Sequence, residues 1–404
     1  LSLEGKRKEI QRSKYGVSEN RSKLLPQINA IAGYSNNFDP PVSVTDGSSY
    51  GVPYNITQTL QHSANAGLEM QMPLFNQTLY TSMSIAKVME EISRLSYGKA
   101  REDVILQISK MYYLGQVTAE QIMLIKANII RLEELRDITQ AFFDNGMSME
   151  VDLKRVNINL ENLKVQYDNA QAMMKQQLNM LKYIMDYPAE KEIALTPVNT
   201  DSITTVALTG LSENIYELQL SQSQVQLAER QKKIIANGYI PSLSLTGSWR
   251  YAAYTDKGYH WFHSGPSNQW FRSYGVGLTL RIPIFDGLDK TYKIKKAMID
   301  IENKRLAWED ARKNLQTQYL NAVNDLMNNQ RNFKKQKDNY LLAEDVYAVT
   351  SDRYREGIAS MTEVLQDEMQ MSEAQNNYIS AHYNYRVTNL MLLKLTGQIE
   401  SLVK

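Results

Sequence analysis

The sequence predicts a membrane α+β protein, with four short β-strands set between very long coiled-coil helices in two tandem copies of one unit. Three observations lead there. Motifs recur at about half the length of the chain, four segments alternate apolar and polar residues, and two long stretches contain almost no helix breaker.

The duplication is read from three pairs of motifs. Leu24-Leu25-Pro26-Gln27-Ile28 is echoed by Tyr239-Ile240-Pro241-Ser242-Leu243, and Met72-Pro73-Leu74-Phe75-Asn76 by Ile282-Pro283-Ile284-Phe285-Asp286. The turn Asn145-Gly146-Met147 returns as Glu356-Gly357-Ile358, so the three offsets are 215, 210 and 211 residues. So large a period is not that of a short-repeat solenoid. It divides the chain into a first repeat (1–186), a linker (187–212) and a second repeat (213–404).

Composition narrows the function. Lys and Arg number 45 against 44 Asp and Glu, so the net charge of +1 gives no electrostatic case for nucleic acid. Cysteine is absent, which excludes disulfides, thiolate metal sites and cysteine nucleophiles and is compatible with an oxidising compartment. No run of 18 apolar residues exists, so no transmembrane helix is predicted. The chain starts at Leu1, and a missing export signal is therefore uninformative.

The strands follow from period-two alternation. Ile28, Ala30, Ala32 and Tyr34 share one face of a strand at about 27–37, with Ile31 breaking the pattern. Leu68, Met70, Met72 and Leu74 alternate with Glu69 and Gln71 over about 66–74. Leu243, Leu245, Gly247, Trp249 and Tyr251 do so over about 242–253, and Tyr274, Val276, Leu278, Leu280 and Ile282 over about 273–283. About ten residues is the length a tilted strand needs to cross a bilayer. A soluble hairpin with one buried face would show the same alternation in any single strand. The aromatics favour the membrane: Tyr34, Phe38, Tyr54, Trp249, Tyr251, Tyr254, Trp261, Phe262, Trp270, Phe271 and Tyr274 gather where strands meet loops, as an interfacial girdle does.

After each second strand comes a predicted helix of extreme length, at about 76–143 and 287–355. The first holds Gly98 and Gly115 as its only glycines, which are expected to soften it; from Lys290 to Arg355 there is neither Gly nor Pro. Tyr319, Leu326, Phe333, Tyr340, Tyr347 and Tyr354 recur every seven residues, as do Ile294, Ile301, Trp308, Leu315 and Ala322. Such a seam predicts coiled-coil packing. Return helices follow at about 148–185 and 360–396, with another at 213–238. The linker holds Pro188, Pro197 and the strand-like Ile193-Ala194-Leu195-Thr196.

Laid out this way, the chain resembles the TolC-type outer-membrane efflux family over essentially its whole length. The duplication, both Leu/Ile-Pro strand starts, both Pro-x-Phe strand ends, Tyr354-Arg355-Glu356-Gly357, Glu363-Val364-Leu365 and Leu392-Leu393-Lys394-Leu395-Thr396-Gly397 carry the resemblance. It implies a homotrimer whose twelve strands close one β-barrel in the bacterial outer membrane, continued by a hollow helical barrel in the periplasm. It also implies a passive exit duct working with a periplasmic adaptor and an inner-membrane transporter, contacting outer-membrane lipid and no nucleic acid. The duct of a protein-secretion system would share this fold. By repeat alignment Glu4 matches Gln219, so about 20 to 40 family residues, with any lipid anchor, are expected before Leu1.

No catalytic set, cofactor or metal site is predicted. The histidines are His62, His260, His263 and His382, and only His260 and His263, near Asp256, have a spacing a metal could use. The Gly275-Val276-Gly277 run sits inside a strand and lacks the helix that a phosphate loop requires. Function is expected at the two tight turns. The resemblance makes Asn145, Gly146, Met147, Glu356, Gly357 and Ile358 the adaptor-contact tips. Six residues beyond each glycine stands an acid, Asp152 and Glu363, and the resemblance places these at the narrowest point of the channel, where carboxylate rings select cations. Tyr354 matches an aromatic gate residue, while Gln366 and Ala359 stand where relatives can carry an acid and an Arg; Arg353 or Arg355 is expected to supply the cation instead. Glu69, Arg250 and Arg281 lie opposite the apolar face and are expected to line the barrel lumen.

Overall fold

The computed structural model describes residues 2–39, 42–54, 56–58, 61–197, 210–255 and 270–403. His260, His263, Asp256, Trp261 and Phe262 lie outside the described residues. Among the described residues the α-helices are α1 (Ser2–Ser22), α2 (Gln77–Asp144), α3 (Glu150–Met185), α4 (Tyr216–Ala236), α5 (Asp289–Arg355) and α6 (Met361–Leu395). The strands are β1 (Gln27–Asn36), β2 (Ser43–Thr45), β3 (Ile56–Gln58), β4 (His62–Phe75), β5 (Ser242–Thr255) and β6 (Trp270–Arg281). The chain forms two compact units, each drawn from both sequence halves. One comprises Lys8–Arg94 and Gln222–Leu306; the other comprises Leu1–Arg7, Leu95–Ser221 and Ala307–Lys404.

The first of these units holds a four-stranded antiparallel sheet in the order β1-β4-β5-β6. Its register keeps polarity on one side. Ile28 pairs with Met70 and Ala30 with Leu68; Leu68 in turn pairs with Trp249, and Trp249 with Tyr274. The next row, Asn29–Glu69–Ser248–Gly275, falls on the other face. A slip of one residue would reverse every side chain, so the alternation itself fixes this register. β4 and β5 are each 14 residues long, extending beyond the predicted spans. Pro73, which has no N–H to give to the ladder, sits at the one irregularity of β4 against β5. The loop after β1 contains a small β2–β3 hairpin that alternation did not predict, because three-residue strands are too short to show a period.

The second unit is helical. It takes Leu95–Asp144 of the 68-residue α2 and Ala307–Arg355 of the 67-residue α5, whose remaining residues belong to the first unit. The seven-residue seam of α5 is the buried one: Leu315, Tyr319, Ala322, Leu326, Tyr347 and Tyr354 are buried, and Trp308, Phe333 and Tyr340 pack against the same clusters. Phe333 stacks on Tyr378 and Tyr385 of α6, at 5.8 and 5.7 Å between ring centroids. Gly98 and Gly115 also have a packing role that the sequence did not show. A Cβ at Gly98 would lie 2.4 Å from the Tyr216 ring, and one at Gly115 would lie 2.7 Å from Leu195. Both glycines let other segments approach α2 closely. The Ile193–Thr196 stretch is irregular, and Leu195 is the residue seated on Gly115.

Candidate functional site

The two turns of the helical unit close in the same way. The amide of Met147 donates to the Phe142 carbonyl at 2.7 Å and that of Gly146 to Phe143 at 2.9 Å. At the other turn Ile358 donates to Arg353 at 2.8 Å and Gly357 to Tyr354 at 2.9 Å. This paired closure needs a left-handed residue after the helix, and Gly146 (φ 70°) and Gly357 (φ 75°) supply it without a Cβ clash. The residue after each glycine then points outward: Met147 is 70% exposed and Ile358 62%. Asn145 and Glu356 are exposed beside them, which gives two apolar knobs with polar shoulders.

The two return helices start differently. Ser360 caps α6 in a reciprocal box: its hydroxyl accepts from the Glu363 amide at 3.3 Å, and the Glu363 carboxylate accepts from the Ser360 amide at 3.2 Å. Met149 caps α3 with no side-chain bond. Asp152, at the position matching Glu363, pairs instead with Arg155 at 3.5 Å. Arg155 also donates to the Thr362 hydroxyl of α6 at 3.3 Å, so it bridges the two hairpins. Gln366 is exposed.

Tyr354 is buried. Its hydroxyl donates to Thr139 at 3.4 Å and its ring lies 5.6 Å from that of Phe142, while burial pushes the phenol pKa up. Arg355 is held by Asp352 at 3.4 Å and by Glu134 of α2 at 3.5 Å. The cation beside Asp152 in this structure is Arg155, while Arg355, one of the two arginines expected there, is held by other acids. Sequence reasoning passed over Arg155, although a basic residue at i+3 from an acid on a helix is a visible signal.

Further along the same unit, α2 meets α5 and α6 through a ladder of polar pairs. Arg131 pairs with Glu344, Asn128 donates to Gln375 at 2.7 Å, and Tyr378 donates to Glu120 at 2.8 Å. His382 is fully buried between Glu120 (3.2 Å) and Arg386 (3.0 Å). Arg386 can only donate, so it fixes Nε2 of His382 as the acceptor and leaves the proton on Nδ1 to face Glu120. Burial opposes the Glu120 charge, but the hydrogen bonds from His382 and Tyr378 outweigh it and its pKa is lowered. Glu368 on α6 is the opposite case. It is buried, one carboxylate oxygen has no partner among the described residues, and burial pushes its pKa up to about 7.

On the sheet, Glu69 and Arg250 form an ion pair on the polar face. Arg281 occupies the same face at the far end of β6, opposite Ser242.

A family model described as outer membrane efflux protein matches residues 2–185 and 207–398. The chain belongs to the outer membrane efflux protein family. Like other family members, it is a passive outer-membrane channel whose helical part lies in the periplasm, and it is not an enzyme. Outer membrane protein TolC of Vibrio cholerae serotype O1 is 21% identical over 399 residues, covering 95% of this chain and 84% of the relative. The probable efflux pump outer membrane protein TtgC of Pseudomonas putida is 23% identical over 379 residues, covering 89% and 75%. Among solved structures, CusC superposes with a TM-score of 0.81 at 16% identity, over 98% of this chain and 89% of that one, and so shares the TolC-like fold. No helix among the described residues is long and apolar enough to cross a membrane.

Proposed function

We propose that three copies of the chain form the exit duct of a tripartite efflux assembly, opened at its periplasmic tips by an adaptor and an inner-membrane pump. The observation that carries this reading is a four-stranded sheet with two open edges: β1 pairs only with β4, and β6 only with β5, among the described residues. Hydrocarbon offers no partner for an open edge, so the sheet must close through further copies, and three supply twelve strands. Glu69, Arg250 and Arg281 on the polar face would then line the lumen.

The same assembly sets six helical turns around one mouth. Asn145, Gly146, Met147, Glu356, Gly357 and Ile358 are the adaptor contact, with Met147 and Ile358 as apolar anchors in a polar surround. Asp152 and Glu363 form the gate, and Tyr354 holds the two hairpins together from within. Arg355 braces α5 against α2, Gln366 lies one turn beyond Glu363, and Arg155 neutralises Asp152 in this state. Detergent extraction followed by mass measurement tests the assembly. A particle of three 46.4 kDa chains that conducts ions across a planar bilayer is expected. A water-soluble monomer with no conductance overturns it.

A further inference from the structure

A groove between α4 and α5 in the sheet-bearing unit lies close to the strand ends. α4 ends at Ala236, six residues before β5, and α5 begins at Asp289, eight residues after β6. Its volume is about 970 Å³, and Lys232, Lys233 and Lys295 line it together with the apolar Met298 and Ile299. Lys295 lies about 9 Å along α5 from its start and Lys232 about 6 Å from the end of α4, at 1.5 Å per residue.

Basic side chains outnumber acids here, although Glu229 and Glu302 also line the groove. Lys290 and Lys293 are paired with Asp286 (2.8 Å) and Asp289 (2.7 Å), and Arg305 with Glu229 (2.8 Å). Lys232, Lys233 and Lys295 make no ion pair among the described residues; Lys295 rests over the Tyr292 ring at 5.5 Å. Residues 229–233 and 286–305 together carry nine basic against five acidic side chains, in a chain whose net charge is only +1.

Polarity also changes in a fixed order along this segment. Leaving β6, Ile282, Ile284 and Phe285 are 56%, 94% and 81% exposed. Exposed Tyr239 and Tyr292 come next, with Lys290 over the Tyr239 ring at 5.0 Å, and the three unpaired lysines follow. Apolar, aromatic, then cationic is the order met on passing from bilayer hydrocarbon through the interface to the phosphates. A solvated helix face would account for lysines but not for bare Ile282, Ile284 and Phe285 above them.

We propose that the α4–α5 groove binds an anionic phospholipid of the periplasmic leaflet. Lys232, Lys233 and Lys295 hold the phosphate, and the acyl chains lie along the apolar run that leaves β6. The site anchors the base of the spanning sheet and is independent of the gate and adaptor reading.

Native mass spectrometry of the detergent-purified full chain, titrated with phosphatidylglycerol or phosphatidylethanolamine, tests this. Each basic residue near an anionic headgroup is worth about fivefold in binding. Wild type is expected to retain phosphatidylglycerol preferentially. Lys232→Gln with Lys233→Gln and Lys295→Gln should lose that preference by roughly tenfold or more, and the matching triple Lys→Arg variant should keep it. No headgroup preference in wild type, or unchanged retention in the Gln variant, overturns the proposal. So does displacement of the lipid by millimolar inorganic phosphate, which marks a free-anion site. The same spectra report the oligomeric mass separately, so failure of the lipid site and failure of the trimer are distinguishable.

Discussion

Asp152 and Glu363 stand at the same third position of two helices 211 residues apart, yet they hold different partners. Glu363 turns back to its own helix start and completes the Ser360 cap. Asp152 has no such cap, and its charge is taken by Arg155, which reaches on to Thr362. One acid is fixed within its own hairpin; the other belongs to the link between hairpins.

In the proposed gate, a charge effect is therefore separable from a capping effect. Glu363→Gln keeps an acceptor for the Ser360 amide and removes the charge, so it should lower cation preference in a planar bilayer while leaving the first turn of α6 ordered. Ser360→Ala should do the reverse, costing about 1 kcal/mol of local stability and speeding amide exchange in that turn. Asp152→Ala combined with Glu363→Ala should change both conductance and cation preference. Unchanged values for that pair would place the constriction elsewhere.

Arg155→Ala should loosen the tip more than Arg355→Ala. The first removes the only side-chain bridge recorded between α3 and α6 among the described residues, and it strands the Asp152 charge. The second removes two half-exposed pairs worth at most about 1 kcal/mol. Spin labels on the two turns should move apart, and conductance should rise, in Arg155→Ala only. Equal responses from the two variants would show that Arg155 is no latch.

Glu368 makes the helical unit sensitive to pH. Its folded pKa of about 7 lies above the ordinary value of 4.5, so between those values the folded state binds the extra proton. Stability from this group is fully present below about 4.5 and falls as pH rises toward 7, with a slope of up to about 1.4 kcal/mol per pH unit. Amide exchange around Glu368, in the first third of α6, should quicken across that window in wild type and stay level in Glu368→Gln. A variant with the same pH profile as wild type would assign the effect to another group, with Glu102, whose pKa is also raised to about 7, the first to examine.

Much of the fold is legible in the sequence. The strands declare themselves through two-residue alternation, the long helices through missing breakers, the buried stripe of α5 through its seven-residue tyrosine seam, and the turns through Gly146 and Gly357. These signals are local: each depends on residues within a few positions of one another, where backbone geometry alone sets the pattern. The contacts that give the candidate site its character are of another kind. His382 reads as a lone helix histidine until Glu120, 262 residues away, is folded against it. Gly98 and Gly115 read as breaks in the helix pattern, and only the fold brings Tyr216 and Leu195 against them.

The sequence by itself determined the periods, the apolar faces of the sheet, the helix lengths and the two glycine turns, including the paired acids beyond them. Only the tertiary structure decided that Arg155 attends Asp152, that Tyr354 is buried against Thr139, and that one carboxylate oxygen of buried Glu368 has no partner among the described residues. The reason is physical. Period and turn chemistry follow from the backbone of a single segment, whereas the partner of a charge depends on which helices are packed together and how far each has slid along its neighbour.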